Sequence, residues 1–209
     1  MPGLPLPLRN ALAELAIAAH DDEVAVAALA WLADRAAATP PPAAAARLGA
    51  VHLIDRDATA LLPVHAPHAD AVTSHAARAL RAVHAGGASG DPGTGRACRI
   101  AAALWNERLF FEVHEVLEAI WKPATGAERQ ALQGVIQIAV ALHHLAHGNR
   151  RGARSLLTEG RGRLATVPAT TLPVLDVERL LAATAGLETA LARGEAPQEA
   201  PPRLELAQV

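Results

Sequence analysis

Along most of this chain apolar residues recur at three- and four-residue spacing, the period of a helix that buries one face. In the first 86 residues the pattern predicts helices over 8–20 and 24–37, the second with Asp21 or Asp22 as N-cap and Pro40-Pro41-Pro42 closing it. A short third helix is expected over 43–48. Spacing then shifts toward strand alternation, and the runs 51–55 and 59–64 flank Arg56-Asp57-Ala58 as a β-hairpin before helical spacing returns over 69–84. Helix, helix, short helix, hairpin, helix is the order of a winged helix-turn-helix. The run Gly-Gly-Ala-Ser-Gly-Asp-Pro-Gly-Thr-Gly at 86–95 sustains neither periodicity and reads as a linker.

Everything after it reads as helix. A long helix is expected over 96–122, ended by Pro123, with a break near Trp105-Asn106. The next runs over 125–147, opened by the capping-box pattern Thr125-Gly126-Ala127-Glu128 and closed by Gly148. A third covers 149–164, Pro168 and Pro173 bracket a connection, and Asp176 caps a last helix that ends at Arg193 before Gly194. The final fifteen residues, rich in Pro and Glu, are expected to fray. The fold class is therefore mainly α: an N-terminal module (1–86), winged-helix-like with its hairpin, a Gly-rich linker (87–95), an antiparallel helical bundle (96–194) and a tail (195–209).

One stretch breaks the separation of greasy and polar faces. At about 100° per residue, Phe110, Trp121, His114, Glu118 and Phe111 fall in one arc of roughly 100°. An unpaired carboxylate in such a face costs several kcal/mol, so Glu118 must be neutralised, hydrogen-bonded, paired with His114 or bound to a cation. The short link at 123–126 forces the flanking helices into an antiparallel hairpin. Counting outward from it sets Glu118 near Gln133 and His114 near Gln137, and on the second helix Gln133, Gln137, Val140 and His144 share an arc of about 60°, with Ile136 and His147 alongside.

Composition narrows the function classes. With 51% hydrophobic and 19% charged residues the chain has ample material for a core, and a formal net charge of −2 gives no bulk attraction to nucleic acid or anionic membrane. A lone cysteine, Cys98, excludes an internal disulfide and a thiolate zinc cluster, which suits a reducing cytoplasm. No apolar run reaches the roughly 18 residues of a membrane span, and the N-terminus lacks the pattern of a secretion signal. The expected setting is cytoplasmic, and the candidate partners are a small ligand, a protein or a second copy of the chain. In the N-terminal module only Arg47 and Arg56 would face phosphate, a thin supply for DNA, and His52, His65, His68 and His75 are expected on surface turns.

The pattern Phe111-Glu112-x-His114-Glu115-x-x-Glu118-x-x-Trp121, then Gln133-Gly134-x-x-Gln137-x-Ala139, then His144 and Gly148-Asn149-x-x-Gly152-Ala153 resembles the bacterial family called domain of unknown function 309. The resemblance covers about residues 103–164. It implies a compact helical fold and a predicted label, metal-dependent hydrolase, that some members carry. Where many members have tyrosine, this chain has Phe110 and His143.

Three readings of the stripe follow. As a metal site, His114 and Glu118 ligate one divalent cation such as zinc, with His144 or His147 completing the set and Glu115 as the base that activates water. His144 lies about 10 Å beyond Gln137 along the axis, so this set needs a bent helix or another ligand. The Glu-x-x-His pattern of diiron bundles is not matched. As a structural network, Glu118 accepts from Gln133, His114 pairs with Gln137, and Phe110, Phe111 and Trp121 are core. As a groove, the stripe of His114, Glu118, Gln133, Gln137, Glu112, Trp121 and Asn149 receives a peptide or small ligand. His143, His144 and His147 suit a helix C-terminus, and Arg150, Arg151, Arg154, Arg161 and Arg163 read as a solvated face. The functional expectation is a ligand- or metal-binding helical domain, with metal-dependent hydrolysis as the chemistry such a site could carry; its alternative is a non-enzymatic interaction or regulatory protein whose stripe is a structural network or ligand groove.

Overall fold

A computed structural model of the chain describes residues 4–35, 39–86, 93–197 and 200–208. It divides into two compact units, Met1–Ala88 and Ser89–Val209. Most of the linker expected over 87–95, and the expected end of the second helix at 36–37, lie outside the described residues.

The first unit contains α1 (Leu6–Ala18), α2 (Glu23–Ala33), α3 (Pro42–Ala50) and α4 (Ala69–Gly86). Asp22 caps α2 by accepting from the Val24 N–H at 2.8 Å, while Pro42 opens α3, a position where a missing N–H costs nothing. Leu8, Leu12 and Leu15 of α1 and Val72, Ala76, Ala79 and Ala82 of α4 recur at helical spacing and are buried, and α1, α2 and α4 pack on one another.

The expected winged-helix module is not supported. Between α3 and α4 the β-structure is limited to an isolated antiparallel bridge, Ile54 to Leu61, and no strand forms among the described residues. The physical reason is turn chemistry. His52 and Ala58 sit at φ of 56° and 54°, which interrupts extension on both sides of the bridge. The Asp55 carboxylate folds the intervening loop onto itself by accepting from the Thr59 N–H at 2.9 Å and its hydroxyl at 3.1 Å. The Thr59 backbone N–H holds the Asp55 carboxyl below its ordinary value. Of the two cations that a DNA reading offered, Arg47 is engaged with Glu14 at 3.2 Å. Two of the four histidines expected on surface turns are instead buried, His65 and His75, and His65 pins the loop through Nε2 to the His52 carbonyl at 3.1 Å.

In the second unit the helices are α5 (Thr94–Asn106), α6 (Phe110–Trp121), α7 (Gly126–Ala146), α8 (Arg150–Ala165) and α9 (Val177–Ala192), each packed on the next. The stretch expected as helix over 96–122 breaks where the sequence placed the interruption, α5 ending at Asn106. Arg108, at φ 60°, turns the chain, and Leu109 buries as the link into α6. Trp105 meets Phe110 edge to face across this corner, ring centroids 5.6 Å apart, which fixes the start of α6.

At the start of α7 the expected capping box is not made: Thr125 makes no side-chain cap, and Glu128 instead accepts from the Thr94 hydroxyl at 2.7 Å, tying α7 to α5. The caps read at Asn149 and Asp176 are present, accepting from Gly152 N and Arg179 N at 2.9 Å each. The tightest helix pairing is α7 with α8. A Cβ on Gly160 would stand 2.7 Å from the Gly134 carbonyl, and one on Gly134 2.9 Å from the Gly160 carbonyl, so these two glycines let the backbones touch. Among the described residues of the tail, 202–207 do not fray as expected: Leu204 is buried, and Leu206 bridges to Leu175. Among the described residues no helix is long and apolar enough to cross a membrane.

Candidate metal centre on the sixth helix

The spacing that mixed polar and apolar residues on α6 yields a gradient of burial around the helix. Phe110, Val113, Val116 and Leu117 are buried, and Glu112 is buried with them at 3% exposure. His114, Glu115 and Glu118 lie at the edge of the buried face, with side chains 29%, 40% and 32% exposed. Glu118 is thus less desolvated than its place in the apolar arc suggested; the deeply buried carboxylate of the helix is Glu112.

One turn of helix brings the three edge residues together. A ring nitrogen of His114 and one carboxylate oxygen each from Glu115 and Glu118 lie within 4.8 Å of one another. His114 Nδ1 stands 3.2 Å from Glu115 Oε1. Two ligands bound at about 2.1 Å to one ion are at most about 4.2 Å apart, so small side-chain rotations close this set on a cation. The donors, one imidazole and two carboxylates, suit zinc or a similar divalent ion. Glu118 also meets Lys122 at 3.5 Å, one turn on, through a lysine whose side chain is 65% exposed. Such a surface pair contributes about 1 kcal/mol at most and offers little resistance to a divalent competitor.

The α6–α7 hairpin holds this helix end firmly. Arg129 Nη1 donates to the carbonyls of Trp121 at 2.8 Å, Lys122 at 3.0 Å and Ala124 at 3.3 Å, gathering acceptors at and just beyond the α6 C-terminus. Its guanidinium also lies 3.9 Å from the centre of the Trp121 ring. The buried Trp121 Nε1 has no hydrogen-bond partner. Sequence reasoning passed over Arg129; its signal was a cation in the first turn of a helix, where the dipole disfavours it unless carbonyls stand opposite.

The expected cross-helix ladder is split. Gln137 does not meet His114: its Nε2 donates to Glu159 Oε2 at 3.0 Å and its Oε1 accepts from Arg163 Nε at 3.0 Å, both on α8. The close approach at Gly160, where an added Cβ would be 3.0 Å from Gln137 Cβ, shows that this side of α7 belongs to α8. Glu118 takes its ion pair from Lys122 on its own helix, while Gln133 is half-buried on α7. His144, expected as a third metal ligand, is not among the three clustered donors; its Nδ1 pairs with Asn149 Nδ2 at 3.1 Å, at the turn into α8. His147 Nδ1 meets the His143 carbonyl at 2.8 Å. Asn149, placed in the polar network by sequence, is a helix cap. Arg161 and Arg163, read as a solvated face, lie in packed networks: Arg161 holds Glu188 at 2.7 Å and also binds the Leu181 carbonyl and the Thr184 hydroxyl. Cys98 on α5 is buried, and that burial pushes its thiol up to about 12, which keeps it an inert packing group.

Residues 99–156 match the family described as a domain of unknown function (DUF309). The matched segment carries most of α5, all of α6 and α7 and the start of α8, and so contains His114, Glu115 and Glu118. No curated protein and no solved structure matches the chain.

Proposed function

We propose that the second unit is a cation-binding helical domain in which His114, Glu115 and Glu118 hold a divalent metal such as zinc, and that it serves metal-dependent hydrolysis. The observation that carries this reading is the convergence of one imidazole and two carboxylates from a single helical turn to within 4.8 Å. Two carboxylates so close repel each other, and a cation relieves that repulsion. When bound, the metal would supply Lewis-acid polarisation and activation of water. Three protein donors leave coordination open, and the partial exposure of all three side chains leaves the site reachable by a substrate. Glu115, expected from sequence as the general base, serves in this reading beside His114 as a donor. His144 has no role in it.

The alternative, a non-enzymatic protein whose polar stripe is structural, draws its support from Gln137, whose amide is spent at both ends on α8. Metal analysis of untagged protein purified without chelator separates the two. The metal reading expects near-stoichiometric divalent ion in the wild type, or its uptake on addition, and loss of both in His114→Ala. Wild-type protein that neither retains nor takes up zinc, manganese or iron overturns it.

A further inference from the structure

Residues 202–207 form an extended segment held along both edges. On one side Trp105 Nε1 donates to the Pro202 carbonyl at 2.7 Å, and the Asn106 carboxamide closes a ring with Leu204, donating to its carbonyl and accepting from its N–H at 3.0 Å each. On the other side Asp176 N donates to the Glu205 carbonyl and Ala207 N to the Val174 carbonyl, both at 3.0 Å. The backbones of Pro202 and Leu204 bond to the end of α5 and those of Glu205 and Ala207 to 174–176, the alternation of a strand added between two edges. Arg179 Nη2 adds an ion pair to Glu205 at 3.5 Å.

The recognition is that of a peptide ligand. It is directed at backbone, with Asn106 imitating a partner strand, and it uses one buried anchor, Leu204, at 1% exposure. Leu206 is 46% exposed. Pro201 and Pro202 pre-set extended φ and lower the cost of ordering. The tether from α9 begins at Gly194, at φ 74°.

We infer that Trp105, Asn106 and the 174–176 edge form a binding site for an extended Pro-x-Leu-x-Leu peptide, filled by the chain's own residues 202–206 and open to the same segment of a second copy. The tether supplies an effective concentration in the millimolar range, so the segment in place competes with one arriving from outside.

The test is a fluorescence anisotropy titration with a labelled peptide of residues 200–209, using the full-length wild type, Leu204→Asp, and Leu204→Asp combined with Asn106→Ala, each checked for cooperative thermal unfolding. Leu204→Asp releases the resident segment. It is expected to melt cooperatively and to bind the peptide on the order of tenfold more tightly than the wild type. The added Asn106→Ala removes that binding. A folded Leu204→Asp chain that ignores the peptide overturns the inference, as does binding that survives loss of Asn106. A Leu204→Asp chain without a cooperative melt also overturns it, because the segment would then be part of the core.

Discussion

The α6 cluster and the α7–α8 seam are built from the same kinds of residue and end in opposite conditions. In the seam the polar groups are spent largely across two helices: Gln137 serves Glu159 and Arg163, Arg163 also donates to Gln130 at 2.9 Å, and within α8 Glu159 accepts from Ser155 at 3.0 Å. Glycines at 134 and 160 bring the two backbones into contact there. On α6 the three donors converge on one another from a single helix, and the cation beside them is an exposed lysine. A polar group satisfied across a seam sets register. Like-charged groups gathered on one face call for a counter-ion, and that difference separates architecture from a candidate site.

The seam breaks most readily at its glycines. Gly160→Val places a Cβ 2.7 Å from the Gly134 carbonyl and 2.8 Å from Ile138 Cγ1 and adds two methyl groups beyond it, and the carbonyl cannot withdraw without moving a helix. A cost of about 3 kcal/mol is expected by chemical denaturation. Gly162, two residues on in the same helix, has nothing within 4 Å, and Gly162→Ala should be neutral or stabilise by up to about 1 kcal/mol through helix propensity. Equal costs at the two positions would show that backbone contact is not what holds α7 to α8.

Arg129 sharpens the comparison from the α6 side, since it anchors the helix that carries the cluster without touching the cluster. Arg129→Ala abandons three carbonyls and the Trp121 ring, and should cost about 2 kcal/mol in denaturant midpoint. Arg129→Lys should recover less than half, because an ammonium lacks the planar fork that stacks and donates together. Arg163→Ala is the smaller loss, about 1 kcal/mol, for it leaves Gln130 and Gln137 exposed enough to turn to water. Neither Arg129→Ala nor Arg163→Ala should change metal content.

The helices were legible because their signals are local: apolar period and Asp22, Asn149 and Asp176 as caps all depend on residues within a turn, while Pro42, read only as closing α2, also opens α3. The nearness of His114 and Glu118 was legible for the same reason, as side chains of one turn, whereas Glu115 was expected as a base and not as a third donor beside them. What failed depended on tertiary choice. Counting from the loop at 123–126 gave an axial level for Gln137 but not its azimuth, and the Gly134–Gly160 contact turned it to α8. The hairpin failed because Asp55 could satisfy Thr59 and Ala60 more cheaply than a strand could. The tail was misjudged because an extended segment with one anchoring leucine carries no periodic signal, and its partner Asn106 lies 98 residues away from Leu204.

The finest test of the comparison is one whose effect on the metal-free protein is smallest. Glu118→Gln keeps the shape of the side chain, gives up a surface pairing with Lys122, and removes one of two neighbouring negative charges. These terms oppose each other, so metal-free stability should stay within about 0.5 kcal/mol of wild type. A ligand that binds only the native state stabilises it by about 2.7 kcal/mol at a hundredfold excess over Kd, which raises the melting temperature by roughly 5–10 °C in a unit of this size. Glu118→Gln should abolish that rise, because a neutral amide replaces one of three donors and restores none of its charge. In the seam the same kind of change, Gln137→Glu, should leave the metal-dependent rise intact while disturbing the pairing with Glu159 through like-charge repulsion. If both variants respond to zinc as the wild type does, α6 differs from the seam only in exposure and its cluster is architecture as well.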